Sequence, residues 1–310
     1  MNAILTIALN PAVDISCTAQ TVKPIHKIRT KNQKSDPGGG GTNVARVISV
    51  LGGQPVLAYL SGGTTGPMFE SLLVDSAIVQ YRFEMQGPVR VAYMIWEETT
   101  GAEYRFVPEG PEVSIEEIEP LMKFVGGFDG RYCVASGSLP PGLPTDTYAR
   151  IANTCSHKGT RLVLDTSGEA LQEAFAHGGI YLAKPSRHEL EVFAGHRLDG
   201  QGLRDVAAML VAKGAAKNLV VSLGADGALL ANEDAITHAP SMKVKVRSAV
   251  GAGDSFVGAM TWWLSLGKSV AESFRFGLAA GAAAAMTPGT GLCRQTDVLM
   301  LFDRLKQQQV

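Results

Sequence analysis

Several things are scarce in this chain. Among its 310 residues there are four cysteines, Cys17, Cys133, Cys155 and Cys293, set far apart with no metal-ligand spacing. That pattern gives no disulfide framework and no zinc site, and reads as reduced thiols of a cytoplasmic protein. Charge of one sign is also missing: 28 Lys+Arg stand against 29 Asp+Glu, for a formal net charge of −1. Neither a nucleic-acid partner nor a membrane surface follows from such a balance, so any anion binding has to come from local clusters. No long hydrophobic run is present. Leu278 to Met286 is too short to span a bilayer, and Pro288 follows it. Met1-Asn2-Ala3-Ile4-Leu5 has no basic leader region and reads as a strand. The Walker phosphate loop and the protein-kinase motif set are both absent, which removes two common frames for handling a nucleotide.

What is there is apolar: 45% of the residues, ample for a sizeable core. Short β-rich runs recur at Ile4–Leu9, Val56–Leu60, Arg131–Ser136, Arg161–Asp165, Ile180–Ala183 and Leu219–Leu223. Helical patterns lie between many of them, at Thr42–Leu51, Ile115–Val125, Thr145–His157 and Gly202–Lys213. This alternation predicts an α/β fold, a doubly wound, mostly parallel sheet with helices on both faces. Ligands of such sheets collect at the carboxyl ends of the strands. With no internal repeat or low-complexity linker, residues 1–310 read as one domain. Residues 12–34 and 87–107 break the pattern. They alternate like strands, and 89–107 has a hairpin signal around Thr99-Thr100-Gly101. They predict a small β-sheet lid. One of its faces carries Tyr93, Ile95 and Phe106 with too little chain to cover them, which predicts a homodimer through the lid.

Four constellations carry chemistry. In Ser248-Ala249-Val250-Gly251-Ala252-Gly253-Asp254 a glycine-built turn opens a helix. Backbone N–H groups at such a helix start form an anion-binding concavity. An aspartate inside it makes sense if it takes a proton from a group attacking a phosphate, which points to phosphoryl transfer. Second, four glycines, Gly38 to Gly41, run into Asn43 and an apolar helix, a backbone bare enough for a sugar to approach. Asp14, past the first strand, is placed to accept hydroxyl hydrogen bonds, although such a residue alone is more often a turn residue. Third, Lys27, Arg29, Arg90 and Arg105 form a cationic set on the lid, with Lys27 and Arg29 expected on one strand face. Either this is a solvated face, or it binds the phosphate of a phosphorylated sugar. Fourth, Lys184-Pro185-Ser186-Arg187-His188-Glu189 has the spacing of a capping box at Ser186 and Glu189. Lys184 and Glu189 can also face nucleotide phosphates and hydrated Mg²⁺. Ser222, Gly224 and Gly227 mark a tight turn between strands, an ordinary hairpin unless it borders a phosphate site.

Together these residues resemble the ribokinase family of sugar kinases along essentially the whole chain. Gly38 to Gly53 and Val250 to Gly258 match that family's two signatures. Ser136 to Gly142 and Val107 to Gly110 resemble its phosphosugar-kinase branch, and the nearest likeness is to ribokinase-like 6-phosphofructokinases. The resemblance implies ATP-dependent phosphorylation of fructose 6-phosphate at the 1-hydroxyl, with Mg²⁺. Tagatose 6-phosphate and fructose 1-phosphate are alternative acceptors, and a non-catalytic sugar-phosphate sensor is the alternative outside enzymes. Asp254 is then the catalytic base, and Gly251, Ala252 and Gly253 form the anion hole. Asp14, Gly39, Asn43 and Ser138 hold the sugar, and Lys27, Arg29, Arg90 and Arg105 surround its phosphate. Lys184, Ser186, Glu189, Ser222, Gly224 and Gly227 fall in the nucleotide site. K⁺ is implied at carbonyls near Ser248, Val250 and Gly289. The chain departs from the family's usual Asn-x-x-Glu with Ser186-x-x-Glu189, which shortens the reach of that first side chain toward phosphate or metal-bound water.

Overall fold

The computed structural model describes residues 3–74 and 77–307; Met1 and Asn2 of the expected opening strand lie outside them. The strands are β1 (Ile4–Ala8), β2 (Ala12–Ala19), β3 (Thr30–Gly38), β4 (Val56–Gly62), β5 (Val79–Met85), β6 (Arg90–Glu97), β7 (Glu103–Phe106), β8 (Tyr132–Ser136), β9 (Arg161–Asp165), β10 (Ile180–Ala183), β11 (Ala216–Ser222), β12 (Ala228–Asn232) and β13 (Ile236–Ala239). The helices are α1 (Gly40–Val50), α2 (Gly66–Ser71), α3 (Ile115–Gly127), α4 (Thr147–His157), α5 (Gly168–His177), α6 (Arg187–Ala194), α7 (Gly200–Ala212), α8 (Ala252–Ser265), α9 (Val270–Ala285) and α10 (Gln295–Gln307).

Nine strands form one sheet in the order β13-β12-β11-β10-β9-β8-β1-β4-β5. From β11 to β5 every pairing is parallel, and β12 and β13 add an antiparallel edge. The central strands are buried along their whole length, as β1 and β8 show, because helices cover both faces. Alternation sorts their side chains. Ile4, Val134, Val163, Leu182 and Val220 pack with Val44 and Ile48 of α1, Phe256 of α8 and Phe274 of α9. Leu5, Ile7, Cys133, Leu162 and Leu164 face the other way, toward Leu121 of α3, Ile151 of α4 and Leu171 of α5. The result is the expected α/β arrangement, a mostly parallel sheet with helices on both faces.

A second sheet has four strands, β3-β2-β6-β7. It contains the expected hairpin, β6 against β7. Two details differ from the sequence expectation. The segment expected to stop at 34 continues as β3 to Gly38, delivering the chain directly to α1. Pro37 is tolerated there because β3 is an edge strand. Lys27 and Arg29 are not on a strand at all. They lie exposed in the connection between β2 and β3, where Ile25 adopts a positive φ of 71°, so the argument for a shared strand face does not hold.

Register divides this small sheet cleanly. Asp14 pairs with Asp36, Ala12 with both Gly38 and Arg90, and Met94 with Arg105. Asp14, Asp36, Arg90 and Arg105 therefore share one face. The pairs Ile15–Tyr93, Cys17–Ile95 and Tyr93–Phe106 occupy the other, where Tyr93 and Phe106 are 45% and 55% exposed.

Candidate active site

The parallel strands finish at one edge of the large sheet, and polar residues gather just beyond them. β1 leads to Asn10, β8 to Ser138, β9 ends on Asp165, β10 leads to Lys184, and β11 ends on Ser222. The turn before α8 brings in Gly251 with φ 71°, a left-handed conformation that suits glycine. Ala252 and Gly253 follow as the first helical residues, with Asp254 in the first turn. Backbone bonding of α8 begins with Ser255 N–H to the Gly251 carbonyl, so among the described residues the N–H groups of Ala252, Gly253 and Asp254 have no partner. This is the anion concavity expected at a helix start.

Asp254 is fixed from α1. Asn43 Nδ2 donates to Asp254 Oδ2 at 2.9 Å. Glycines let α1 come this close: Gly39 has φ 89°, and a side chain at Gly41 would collide with the Ile7 carbonyl. From the opposite side Lys184, nearly buried, pairs with Asp165 Oδ1 at 3.1 Å. A Cβ placed on Gly253 would lie 3.5 Å from Lys184 Nζ, so the ammonium stands over the anion concavity. Burial raises the Asp254 carboxyl above its ordinary value, opposed by the Asn43 hydrogen bond and Lys184. Burial also lifts Asp165 to about 6 despite Lys184. For Lys184 itself burial is the largest influence and works against the charge, but the attractions of Asp165, Glu189 and Asp254 together outweigh it and the net direction is up.

Asp14 faces the same space, its carboxyl lifted to about 6 by burial against the pull of Arg90 and Arg46, with Asp36 pushing further up and Arg105 opposing. Gly38 lies so close to it that any side chain there would clash with the carboxylate. Of the expected cationic set, Arg90 and Arg105 thus act on Asp14, whereas Lys27 and Arg29 do not and have no ion-pair partner among the described residues. Arg90 is already held: it donates to the carbonyls of Pro108 at 2.9 Å and Asn10 at 3.0 Å. Ser138, exposed at its loop, accepts from Asn10 Nδ2 at 3.2 Å.

Ser186 and Glu189 form the expected capping box at the start of α6, with Glu189 Oε2 accepting from Ser186 N–H at 2.7 Å and Ser186 Oγ accepting from Glu189 N–H at 3.2 Å. Glu189 is nevertheless near enough to act electrostatically on both Asp165 and Lys184. Ser222 bridges to Ser186, and Gly224 and Gly227, both at positive φ, shape the turn into β12. Ser248 and Val250 are buried, and Gly289 closes against Ser16 of β2. The carbonyls of Ser248, Val250 and Gly289 accept no hydrogen bond among the described residues. No three His, Cys, Asp or Glu side chains cluster as metal ligands among those residues.

Sequence reading missed five residues that the geometry brings in: Asn10, Asp36, Arg46, Asp165 and Thr290. Asp165 ends a strand that the sequence defined correctly, and strand ends are where ligands collect. Arg46 is three residues beyond Asn43 and so on the same helix face. Asp36 and Thr290 left no local signal, since their meeting joins positions 254 apart in sequence.

The pfkB family carbohydrate kinase pattern matches residues 5–297. ATP-dependent 6-phosphofructokinase isozyme 2 of Mycobacterium tuberculosis is 40% identical over 303 residues, covering 97% of this chain and 89% of that one. The Escherichia coli protein of the same name is 37% identical over 309 residues, covering 99% and 100%. Two solved structures of Escherichia coli phosphofructokinase-2, with fructose-6-phosphate and with potassium, superpose with TM-scores of 0.93 and 0.94 at 36% identity, each covering 99% of this chain and all of its own. The glycine-opened α8 with Asp254 in its first turn, the glycine run before Asn43, and these similarities along nearly the full length agree: the chain belongs to the pfkB family of carbohydrate kinases.

Proposed function

We propose that this kinase transfers the γ-phosphoryl group of ATP to the 1-hydroxyl of fructose 6-phosphate, giving fructose 1,6-bisphosphate and ADP. The observation that carries the reading is Asp254, held by Asn43 at the mouth of the unpartnered N–H groups that open α8. Asp254 takes the hydroxyl proton as that oxygen bonds to the γ-phosphorus and the bond to the β-phosphate oxygen breaks. Its raised pKa suits a proton acceptor, because a stronger base draws the proton more readily in the transition state. The α8 amides and Lys184 receive the charge on the transferring group, and positioning with electrostatics supplies most of the rate.

Asp14 and Asn43 bind the sugar hydroxyls, Gly39 lets the sugar approach, and Arg90, Arg105 and Ser138 border its phosphate. Lys27 and Arg29 reach a phosphate only if their connection folds inward or a second subunit presents them. A second copy covering Tyr93 and Phe106 makes the four-stranded sheet a lid with a homodimer interface on its outer side. Ser186, Ser222, Gly224 and Gly227 line the nucleotide side. Asp165 and Glu189 suit Mg²⁺, which keeps most of its waters and takes few protein carboxylates; it would neutralise the nucleotide phosphates. K⁺ fits the free carbonyls of Ser248, Val250 and Gly289. Unpaired thiols and a phosphorylated metabolite as substrate support a cytoplasmic location.

A coupled assay for ADP tests this reading with ATP and Mg²⁺, with and without K⁺, across fructose 6-phosphate, tagatose 6-phosphate and fructose 1-phosphate. Fructose 6-phosphate should give the highest kcat/KM. Preference for another acceptor replaces the substrate, and absence of sugar-dependent ADP removes the kinase reaction.

A further inference from the structure

A line of polar contacts runs from Asn43 through α1 and β3 to the segment beyond α9. Asn43 has two ends, and both are engaged. Nδ2 donates to Asp254 at 2.9 Å, and Oδ1 accepts from Arg46 Nη1 at 3.2 Å. Arg46 Nη1 also donates to the Pro37 carbonyl at 2.8 Å, and Nη2 reaches Asp36 Oδ1 at 3.4 Å. Asp36 is buried. Its Oδ1 takes Lys34 Nζ at 2.9 Å, and its Oδ2 takes the Thr290 hydroxyl at 2.7 Å. Thr290 is itself buried and follows Gly289, on the segment beyond α9. The chain of contacts thus passes from that segment through β3 and α1 to Asp254.

An amide side chain has a donor end and an acceptor end, and turning it over exchanges them. Here a reversed Asn43 would set its NH₂ against the Arg46 guanidinium and its carbonyl against the Asp254 carboxylate. Both contacts are repulsive, so Arg46 selects the orientation in which Asn43 donates to Asp254. Arg46 in turn cannot swing away while the Pro37 carbonyl and Asp36 hold it, and Asp36 cannot turn while Thr290 holds its other oxygen.

We propose, on the reading that Asp254 is the proton acceptor, that Arg46 and Asp36 are positioning residues: they lock the Asn43 amide so that it orients Asp254 and favours its ionised form. Neither touches substrate in this account; both act through Asn43, and the Arg46 charge adds a smaller direct attraction to Asp254. The other charges acting on Asp254 are Lys184 beyond β10, Asp165 at the end of β9, Asp14 on β2 and Arg105 on β7, and each is left in place when Arg46 is replaced. Releasing Asn43 removes a bond that lowers the Asp254 pKa, so the acid limb of the kcat profile moves to higher pH.

The test measures kcat and KM against pH for the parent enzyme, Arg46→Gln, Asn43→Ala, the double variant, Thr290→Val and Asp254→Asn. Arg46→Gln should lower kcat about tenfold and shift the acid limb upward by about half a unit to one unit, within the range of a lost charge-assisted hydrogen bond. It should cost little further in the Asn43→Ala background, the signature of residues acting chiefly through one another. Thr290→Val, which deletes one hydroxyl, should move the limb in the same direction by a smaller amount. If Arg46→Gln fails to fold, Thr290→Val carries the test alone. Multiplying losses in the double variant, or an unmoved acid limb in Arg46→Gln or, failing that, in Thr290→Val, overturns the inference. Normal turnover by Asp254→Asn instead overturns the base assignment beneath it.

Discussion

Asp14 offers a prediction in which stability and function pull in opposite directions. Its carboxyl is lifted from an ordinary 3.8 to about 6, chiefly by burial, and no hydrogen bond to it is present among the described residues. A carboxyl whose folded-state pKa is raised holds its proton more tightly folded than unfolded. Stability therefore falls as pH climbs from about 4 to about 6 and stays lowered above that. Each unit of that interval is worth about 1.4 kcal/mol, so an ionised Asp14 costs the ligand-free fold on the order of 2–3 kcal/mol at pH 8. Asp14→Asn removes the charge with almost no change in volume. The ligand-free variant should be more stable than the parent by roughly that amount at pH 8, with the gain fading to near zero below about pH 4. Urea unfolding at several pH values reads it directly, with unchanged m-values showing that the unfolded state is the same. The same variant should lose sugar binding, seen as a large rise in KM for fructose 6-phosphate. An equal gain at acid and alkaline pH, or no gain at pH 8, refutes the burial argument. A stabilised variant with unaltered KM refutes the role of Asp14 at the sugar.

Asp254→Asn should keep the fold, since its amide oxygen can still accept from Asn43, and should lose about 10²–10⁴-fold in kcat; near-normal turnover removes its role. Arg90→Ala should weaken sugar-phosphate binding by roughly 1.5–3 kcal/mol, with a further loss of order in the Pro108 segment that Arg90 now holds. An unchanged KM for the sugar phosphate would argue against that role. Tyr93→Lys places a charge on the open face of the four-stranded sheet and should weaken assembly and activity together, as seen by analytical ultracentrifugation beside the coupled assay. Full activity in a proven monomer would separate the two.

Much of the fold was legible because its strands are buried on both sides. Arg161–Asp165 and Ile180–Ala183 stand out as short apolar runs between helical patterns, and β9 and β10 have those same bounds. β5 escaped notice because it is an edge strand: Arg82 and Glu84 face solvent while Tyr81 and Phe83 pack on Phe124 of α3, leaving an alternating pattern rather than a run. Within the site, the signals that survived in sequence were backbone ones: the glycines before Asn43 and those around Ala252 announce where a chain must bend. Side-chain pairings across the fold did not survive. Lys184 with Asp165, and Asp36 with Thr290, depend on strand order and on where the segment after α9 returns, and no short motif encodes either. Lys27 and Arg29 show the converse error, since alternation in sequence does not make a strand where the chain turns at Pro24 and Ile25.

The four-stranded sheet carries a constraint on how this enzyme can change. Its inward residues Asp14, Arg90 and Arg105 and its outward residues Tyr93 and Phe106 are separated only by odd and even positions along the same strands. A substitution alters one surface at a time, but a single residue inserted or deleted between Arg90 and Tyr93 would bring both onto one face, turning either Arg90 outward or Tyr93 inward. Length variation should therefore be confined to the turn at Thr99–Gly101 and the β2–β3 connection, and a one-residue deletion between Arg90 and Tyr93 should abolish catalysis even though both of those residues are kept.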